Sequence, residues 1–322
     1  MRIGLHSTAF ALDPFLARVD AAERVGVSHL WVTDSPMTAL DAYAVLTVAA
    51  LRTRRMILAT GATNVVTRHE SVVAAALMTI DELAPGRVVC GVASGHTSVR
   101  LVGARPSSVA DLRSAIVHIR ALVNGEPVRY GNRDVRVSWP PRRLPVYLIA
   151  EGQRMLEMGA EVADGVVSGN GISPEVLDWI EDRISLGTVR AARPRSDVDV
   201  WHSCVLAIDD SPGEARRLAS SRVTNRAMHN FEAVPELIPE KHRDECHRLI
   251  ENFDLNTWYD ARHVRYVTDY MLDRFAITGD ADTVVKKLRK LERRGVTSLM
   301  LDLPMNDFDE QLERLGEILP AL

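Results

Sequence analysis

The sequence predicts a single α/β domain folded as a closed (β/α)8 barrel, and three observations favour that fold class. Strand-like and helix-like segments alternate from the first residues onward, eight strands take part in the alternation, and the chain has 322 residues. Such alternation predicts parallel strands joined by right-handed crossovers, and eight units need a chain of about this length. An open, doubly wound parallel sheet is the alternative architecture.

Apolar segments bounded by turn residues are predicted as the strands of the barrel. They are Arg2–Leu5, His29–Val32, Met56–Ala62, Arg87–Val92, Val146–Ile149, Gly165–Val167, Val198–Ile208 and Ser298–Leu303. A hairpin outside the barrel is predicted at Pro127–Tyr130 and Arg133–Val137, because Gly131 and Asn132 between them suit a tight primed turn.

Apolar residues at helical spacing predict the segments that connect these strands. They are Pro14–Val25, Asp41–Leu51, Ser71–Leu83, Val109–Val123, Arg154–Val162, Pro174–Leu186, Pro212–Thr224 and Ala281–Arg294. Residues 225–277 interrupt the alternation with a largely helical stretch that is rich in His, Arg and acidic side chains. We interpret this stretch as an insertion within the domain 1–322, before the last βα unit, and expect it to cover one mouth of the barrel.

The charge balance excludes several classes of partner. The chain carries 39 Lys plus Arg against 43 Asp plus Glu, a net charge of -4, which gives no general attraction for nucleic acid or for an anionic membrane. The first ten residues, MRIGLHSTAF, lack a signal-peptide pattern, and no window approaches 18 uninterrupted apolar residues. We therefore expect a soluble, cytoplasmic protein that acts on a small molecule.

The cysteines do not indicate a disulfide framework or a zinc site. Cys90, Cys204 and Cys246 are widely spaced and never form a CxxC pair. His242 and Cys246 have the i, i+4 spacing of one helical face, and His247 follows them. Basic residues crowd this segment, so we predict a solvated helix without a metal.

The residues that follow the predicted strands are small or polar, and in a barrel these positions form the reactive end. They are Thr33–Ser35, Gly61–Arg68, Ala93–His96, Ala150–Gln153 and Ser168–Gly171. Glycine lets backbone groups approach a flat ligand closely, and helix amino termini favour phosphate. The composition of this edge indicates a site for a planar ring.

Five stretches of the sequence resemble the bacterial luciferase-like monooxygenase superfamily, in its F420-dependent methylenetetrahydromethanopterin reductase-like branch. They are WVTD (31–34), TGATNVVTRH (60–69), TIDELAPGRVVCGVASG (79–95), LPVYLIAEG (144–152) and GAEVADGVVSG (159–169). Their order and spacing match over nearly the whole chain. The resemblance implies a TIM barrel of the luciferase-like type, often in a homodimer, with coenzyme F420, an 8-hydroxy-5-deazaflavin, at the carboxyl ends of the strands.

The resemblance also implies a non-prolyl cis peptide bond between Gly61 and Ala62, where the third strand ends. The bulge at this bond is expected to press against the central ring of the deazaflavin. Small residues suit that place because bulk would obstruct the contact. The plain alternative is that Gly61 ends a strand before a loop.

The same resemblance implies which residues contact the cofactor. They are Asp34, Ser35, Gly61, Ala62, Thr63, Asn64, Ser94, Gly95, Ala150, Glu151, Gly152, Gln153, Gly169 and Asn170. His96 is the first candidate for the proton donor and Glu151 the second, with a surface histidine and a helix cap as their plain alternatives.

Two further positions qualify the comparison with relatives. Several relatives carry a catalytic His where this chain has Ser35, which argues against a direct transfer of luciferase or sugar-phosphate dehydrogenase chemistry. Arg68 is expected to pair with Asp81 or Glu82 and to stabilise the scaffold.

The leading hypothesis is therefore an F420-dependent oxidoreductase that transfers a hydride between a deazaflavin and a small organic substrate held under residues 225–277. An FMN-dependent monooxygenase is the first alternative. A noncatalytic barrel that binds a flavin or deazaflavin is the second. None of these hypotheses requires a metal.

Overall fold

Eight parallel strands close into the barrel that the sequence predicts, in a computed structural model that describes residues 1–254 and 261–322. The strands of the described chain are β1 Arg2–Ser7, β2 His29–Val32, β3 Ile57–Thr60, β4 Thr63–Asn64, β5 Val88–Ala93, β6 Val128–Tyr130, β7 Arg133–Val135, β8 Val146–Ala150, β9 Gly165–Ser168, β10 Asp199–Ile208, β11 Ala276–Gly279 and β12 Ser298–Asp302. The barrel order is β1, β2, β3, β5, β8, β9, β10, β12 and back to β1. Closure excludes the open doubly wound sheet.

Helices pack around the barrel and leave its two ends open to loops. The helices of the described chain are α1 Leu12–Val25, α2 Ala42–Arg52, α3 Glu70–Leu83, α4 Thr97–Leu101, α5 Val109–Val123, α6 Gln153–Val162, α7 Pro174–Arg190, α8 Pro212–Ala233, α9 Arg243–Glu251, α10 Asp269–Phe275, α11 Ala281–Arg293 and α12 Phe308–Ile318. None of the helices in this part of the chain combines the length and apolarity needed to cross a bilayer.

The interior of the barrel is a packed aromatic core rather than a pore. Trp31 and Trp201 are fully buried, and their rings meet edge to face with centroids 5.5 Å apart. Tyr147 and Met300 complete this inner cluster. Aromatic pairs of this geometry contribute about 0.5–1.5 kcal/mol beyond their buried area, so the interior is filled and a ligand has room only at the ends of the strands.

The predicted third strand is interrupted. β3 ends at Thr60, the Gly61–Ala62 peptide bond is cis, and β4 then pairs with β5 through Thr63 and Asn64. The cis bond that the family resemblance implies is therefore confirmed. Gly61 suits the position because an added Cβ would lie 2.7 Å from the Cβ of Trp31.

Residues 225–277 differ in detail from the predicted helical stretch. α8 does not end at Thr224 but continues to Ala233, and the last residues of the stretch begin strand β11, which the sequence did not predict. β11 pairs with Val205–Ile208 of β10, beyond the residues of β10 that pair with β9. Because β10 extends beyond the end of β9, the backbone N–H and C=O groups of its second half would have no partner on that side. β11 supplies those hydrogen bonds.

Candidate functional site

A cavity of about 220 Å³ opens at the carboxyl ends of the barrel strands. Its lining comes from the ends of β1, β2 and β5, from the segment 62–64 and from α8. The lining residues are His6, Thr8, Thr33, Ser35, Thr38, Ala62, Thr63, Asn64, Ala93, Gly95, His96, Thr97, Ser98, Arg222 and Asn225. We call this space the mouth cavity. Hydroxyl, amide and imidazole groups dominate its walls, and small side chains leave the backbone of the strand ends within reach.

His6, near the end of β1, connects the mouth cavity to the cis peptide. Its Nδ1 lies 2.7 Å from Oδ1 of Asp302, and its Nε2 lies 2.8 Å from the carbonyl oxygen of Gly61. The His6 ring therefore lies between two acceptor oxygens. The hydroxyl of Thr33 lies 2.9 Å from the same Nε2. The His6 ring is thereby fixed in one orientation against the floor of the cavity.

Asp302, at the end of β12, is shared by several basic groups. Besides His6, Arg222 donates from Nη2 at 2.7 Å to Oδ1, and Arg226 donates to Oδ2. Burial alone would raise the pKa of Asp302, but Arg222, His6 and Arg226 outweigh it and hold that pKa well below its ordinary value. Two arginines from α8 are thus anchored at the mouth by one carboxylate.

Asp34 is buried beneath the mouth cavity rather than exposed in it. Its carboxylate accepts hydrogen bonds from Nε of Arg68 at 2.9 Å and from the hydroxyl of Thr63 at 2.7 Å. Arg68 also donates to Asp41, at 2.7 Å. The Tyr43 hydroxyl donates to Thr63 at 2.9 Å. This network holds segment 62–64 in place, and Asp34 reaches the cavity only through Thr63.

The expected pairing of Arg68 with Asp81 or Glu82 is wrong. Those two acidic residues lie in the last turn of α3, near Arg142, whereas Arg68 precedes the first turn. Eleven helical residues separate the ends by about 16 Å. Arg68 therefore pairs with carboxylates at the reactive end of the barrel.

Ser35 and Asn64, two of the residues predicted to contact the cofactor, lie in the wall of the mouth cavity. Thr38 donates to the Ser35 hydroxyl at 2.8 Å. Asn64 is 1% exposed; its Oδ1 accepts from the backbone N–H of Thr67 at 2.9 Å, and its Nδ2 donates to Ser98 at 3.2 Å. The side chain of Asn64 therefore shapes the wall of the cavity.

His96, after β5, lies at the rim of the mouth cavity under α8. Its ring meets the ring of His229 edge to face at 4.0 Å, and its Nε2 is buried without a hydrogen-bond partner in the described chain. The Glu232 carboxylate lies 3.7 Å from that nitrogen. Burial and Arg100 lower the pKa of His96, and Glu232 opposes them. Burial and His96 lower the pKa of His229 to about 3.

Gly95 makes this placement possible. It has φ +88°, a conformation that glycine adopts without penalty. An added Cβ would lie 2.3 Å from Cγ2 of Val99. The adjoining Ser94 accepts from the backbone N–H of Ser107 through its carbonyl oxygen at 2.8 Å, which ties the loop to the next segment.

Glu151 is half-buried beside the mouth, near Arg226, and is not in the wall of the mouth cavity. Burial raises the pKa of Glu151 to about 7, although Arg226 and Arg274 oppose the rise. Gly169 allows the approach of its carboxyl group, because an added Cβ there would lie 2.5 Å from Oε1 of Glu151. A carboxyl group that titrates near neutral pH is suited to proton transfer.

Asn170 is buried and bonded to protein groups. Its Nδ2 donates to the carbonyl oxygen of Glu151 at 3.0 Å and to Ser168 at 2.9 Å, and its Oδ1 accepts from Asn230 at 2.5 Å. Arg274 donates to its backbone carbonyl oxygen at 3.1 Å. The predicted contact residue thus joins β9 to α8 and α10.

The segment after β8 presents a helix amino terminus at the same end. Ala150 ends β8, and Gly152 is the N-cap of α6, without a side-chain cap. An added Cβ on Gly152 would meet no atom within 4 Å. Gln153 is exposed and donates to Glu157 at 3.1 Å. No side chain caps the start of α6, and an uncapped helix amino terminus favours an anion.

The described residues bring together no group of three or more His, Cys, Asp or Glu side chains suited to a metal ion. His242 lies 2.8 Å from the Glu245 carboxylate through Nδ1, and its ring stacks on Tyr270. Cys246 is fully buried against α8. The predicted solvated helix α9 is therefore buried along one side.

A family model described as luciferase-like monooxygenase matches residues 1–298. The chain belongs to the luciferase-like monooxygenase family. The resemblance carried by the five sequence stretches is confirmed.

Relatives within the luciferase-like family extend over the whole chain. The chain is 28% identical over 316 residues to 5,10-methylenetetrahydromethanopterin reductase from Archaeoglobus fulgidus, covering 94% of each protein. It is 28% identical over 345 residues to F420-dependent glucose-6-phosphate dehydrogenase from Beutenbergia cavernae, covering 100% of this chain and 97% of that protein. The structure of coenzyme F420 dependent tetrahydromethanopterin reductase from Methanopyrus kandleri matches with a TM-score of 0.82 at 24% identity, covering 99% of each chain. Homologues of this luciferase-like chain are thus F420-dependent oxidoreductases.

Several residues of this luciferase-like site were missed from the sequence. His6 and Asp302 lie at the carboxyl ends of β1 and β12. The search for polar residues at strand ends, which identified the other candidates, therefore applies to them as well. On α8, Arg222, Arg226 and His229 recur at helical spacing and face the mouth. A predicted helix that continued beyond Thr224 would have placed these three residues on one helical face and so identified them as candidates.

Proposed function

We propose that this protein is an F420-dependent oxidoreductase whose mouth cavity holds the deazaflavin ring beside a small organic substrate. The single observation that carries the proposal is a polar mouth cavity at the carboxyl ends of the strands in a chain whose full-length relatives include F420-dependent enzymes. Sites of this kind in α/β barrels bind the reacting molecules.

The residues of the mouth fit a planar ring with hydrogen-bonding edges. His96 Nε2 and Arg226 Nε are buried polar atoms without a hydrogen-bond partner in the described chain. Buried polar atoms of this type are normally satisfied, so a ligand is expected to supply acceptors there. The cavity volume of about 220 Å³ is smaller than the roughly 300–1,000 Å³ of sites that enclose a drug-sized ligand. It therefore suits the ring rather than the whole cofactor, whose tail would lie outside.

Each part of the mouth has a distinct proposed role. Segment 62–64, braced by Asp34 and Arg68, supports one face of the ring. The backbone N–H groups at the uncapped start of α6 suit the phosphate of the tail. When bound, coenzyme F420 supplies the hydride acceptor or donor, and this chain supplies orientation and exclusion of water.

Proton transfer is assigned to the two side chains chosen from the sequence. His96 lies in the wall of the mouth cavity, while Glu151 lies beside it with a pKa raised by burial to about 7. His96 is the first choice, because it lines the space where a substrate would lie. Substitution of His96 by Ala is expected to slow turnover more than it weakens cofactor binding, and equal turnover would remove this role.

The test is a pair of binding titrations with oxidised F420 and with FMN, followed by quenching of tryptophan fluorescence. We expect F420 to bind at least tenfold more tightly than FMN. Tighter binding of FMN would favour the monooxygenase alternative and overturn the proposal. Substrate-dependent bleaching of the bound deazaflavin would then exclude the noncatalytic barrel.

A blocking variant tests the location of the ring. Ala62→Leu places bulk in the wall of the mouth cavity and is expected to weaken F420 binding at least tenfold. Ala191→Leu, exposed after α7, is the matched control. Unchanged F420 affinity in a folded Ala62→Leu protein would contradict the proposed position.

A further inference from the structure

The ionisable side chains that line the mouth cavity are all of the basic type. His6, His96 and Arg222 contribute to the lining, and none of the described lining residues is an Asp or Glu. Two of these residues, His6 and Arg222, contact the carboxylate of Asp302, which Arg226 also shares. Two guanidinium groups therefore share one carboxylate, and the mouth cavity favours a negatively charged ligand.

Arg222 is the charged group best placed to contact such a ligand. Its side chain is 13% exposed and held by a single contact, from Nη2 to Asp302 at 2.7 Å. In the described part of the chain this is the one donor of Arg222 with a protein partner. The remaining N–H groups of the planar guanidinium are available, and their fork matches the two oxygens of a carboxylate or phosphate.

Asn225 and His96 extend the same surface. Asn225 follows Arg222 by three residues on α8 and lines the same cavity, so the two side chains lie on one helical face. Nε2 of His96, also at this rim, has no hydrogen-bond partner among the described residues. Together the three side chains offer donors from two sides of one space.

We propose that Arg222, assisted by Asn225, binds a carboxylate or phosphate group of the substrate, so that the substrates of this protein are small organic anions. This inference rests on the proposed function for the reaction that follows binding. The anion site itself is formed by residues of this chain and can be tested without turnover.

The experiment measures binding of inorganic phosphate and of acetate by titration calorimetry, at constant ionic strength, with and without saturating F420. Arg222→Gln removes the charge, while Asp302 keeps its contacts with His6 and Arg226, so the fold retains a paired carboxylate. Arg222→Lys keeps the charge but not the fork. Arg217→Gln, exposed on the same helix and paired with Glu214, is the matched control.

We expect at least one of the two anions to bind the F420-loaded protein, and Arg222→Gln to weaken that binding at least tenfold. The anion affinity of Arg222→Lys is expected to lie between those of Arg222→Gln and the unaltered protein. Arg217→Gln is expected to change the anion affinity less than twofold. Equal anion binding by Arg222→Gln and the unaltered protein would overturn the proposal.

Two other outcomes separate the possible sources of the anion. If saturating F420 abolishes anion binding, Arg222 serves the cofactor's own phosphate and the substrate assignment is overturned. If F420 does not bind at all, the proposed function fails, while the titrations of the free protein still decide whether Arg222 forms an anion site.

Discussion

The two ends of the barrel carry similar residues but combine them differently. At the amino-terminal end, a second cavity of about 710 Å³ lies between α7, β10 and the segment before β12. Arg2 pairs there with Asp199, and Arg294 pairs with Asp178 at 2.7 Å. Arg195 also has its own carboxylate, from Glu181 at 2.8 Å. Each arginine of this lower cavity is thus matched with one acid.

The mouth cavity is smaller but its charges are not matched. Arg222, Arg226 and His6 share the carboxylate of Asp302. An arginine paired with its own carboxylate has few hydrogen-bond donors left for a ligand. Arginines that share one carboxylate keep unpaired donors, which attract an anion. The pairing of arginines with carboxylates, rather than the volume of the cavity, therefore distinguishes the reactive end from the stabilising end of this barrel.

The largest effect is expected from Asp302→Asn, which breaks the shared contact at the mouth. Two arginines whose side chains are 12–13% exposed lose the carboxylate that they share there. Removing one partner from a buried ion pair costs about 3–5 kcal/mol, so we expect a loss of this size in the free energy of unfolding, measured by urea denaturation. A loss below about 1 kcal/mol would show that the shared carboxylate is not needed.

The next effect is expected at the lower end, from Asp199→Ala. This carboxylate accepts from the Tyr147 hydroxyl at 2.7 Å and from the Trp201 indole N–H at 3.0 Å. Leaving two part-buried donors unsatisfied is expected to cost about 2–3 kcal/mol. F420 affinity, measured by fluorescence titration, should stay within threefold of the unaltered protein; a tenfold loss would tie the lower end to binding.

A smaller, pH-dependent effect is expected from Glu151→Gln. Because burial raises the pKa of Glu151 to about 7, the folded state keeps a proton that the unfolded chain releases near its ordinary pKa of about 4.3. The free energy of unfolding therefore falls as the pH rises from about 4.3 to 7, by on the order of 1–3 kcal/mol. The variant should lack this fall.

Urea denaturation at several values between pH 4.5 and 7.5 measures that difference. Glu175→Gln, exposed on α7, controls for the removal of a carboxylate. A constant difference between Glu151→Gln and the unaltered protein across this range would contradict the raised pKa.

The smallest effect is expected from Asp178→Asn at the lower end. Asp178 is 72% exposed and Arg294 is 38% exposed, and exposed ion pairs contribute about 0–1 kcal/mol. We expect a change below about 1 kcal/mol in the free energy of unfolding and none in F420 affinity. A change above about 2 kcal/mol would remove the contrast between matched surface pairs and the shared contact at Asp302.

Local sequence predicted most elements but not the long-range ones. The helix Val109–Val123 and the strand His29–Val32 have the predicted ends, because their periodicity and capping residues are local. Strand β11 was missed, since it is short and forms only against the unpaired half of β10. The end of α8 was placed too early because polar residues follow Thr224, and only the fold shows that they face the mouth.

The candidate site likewise contains features that the sequence could predict and contacts that it could not. The small residues after β3 and β5 could be found from the sequence, because glycine at a strand end has a local meaning. The pairing of Arg68 with Asp34 and the sharing of Asp302 could not be found from the sequence, because each contact joins residues at least 34 positions apart.

The alternation of strands and helices, the buried strand cores and the polar character of one barrel end follow from the sequence, because they depend on neighbouring residues and on the period of each element. The partners of the charged side chains are set by the folded barrel. An arginine finds its carboxylate by proximity in space, and closure of the barrel brings His6, Arg222 and Asp302 together from positions that are up to 296 residues apart.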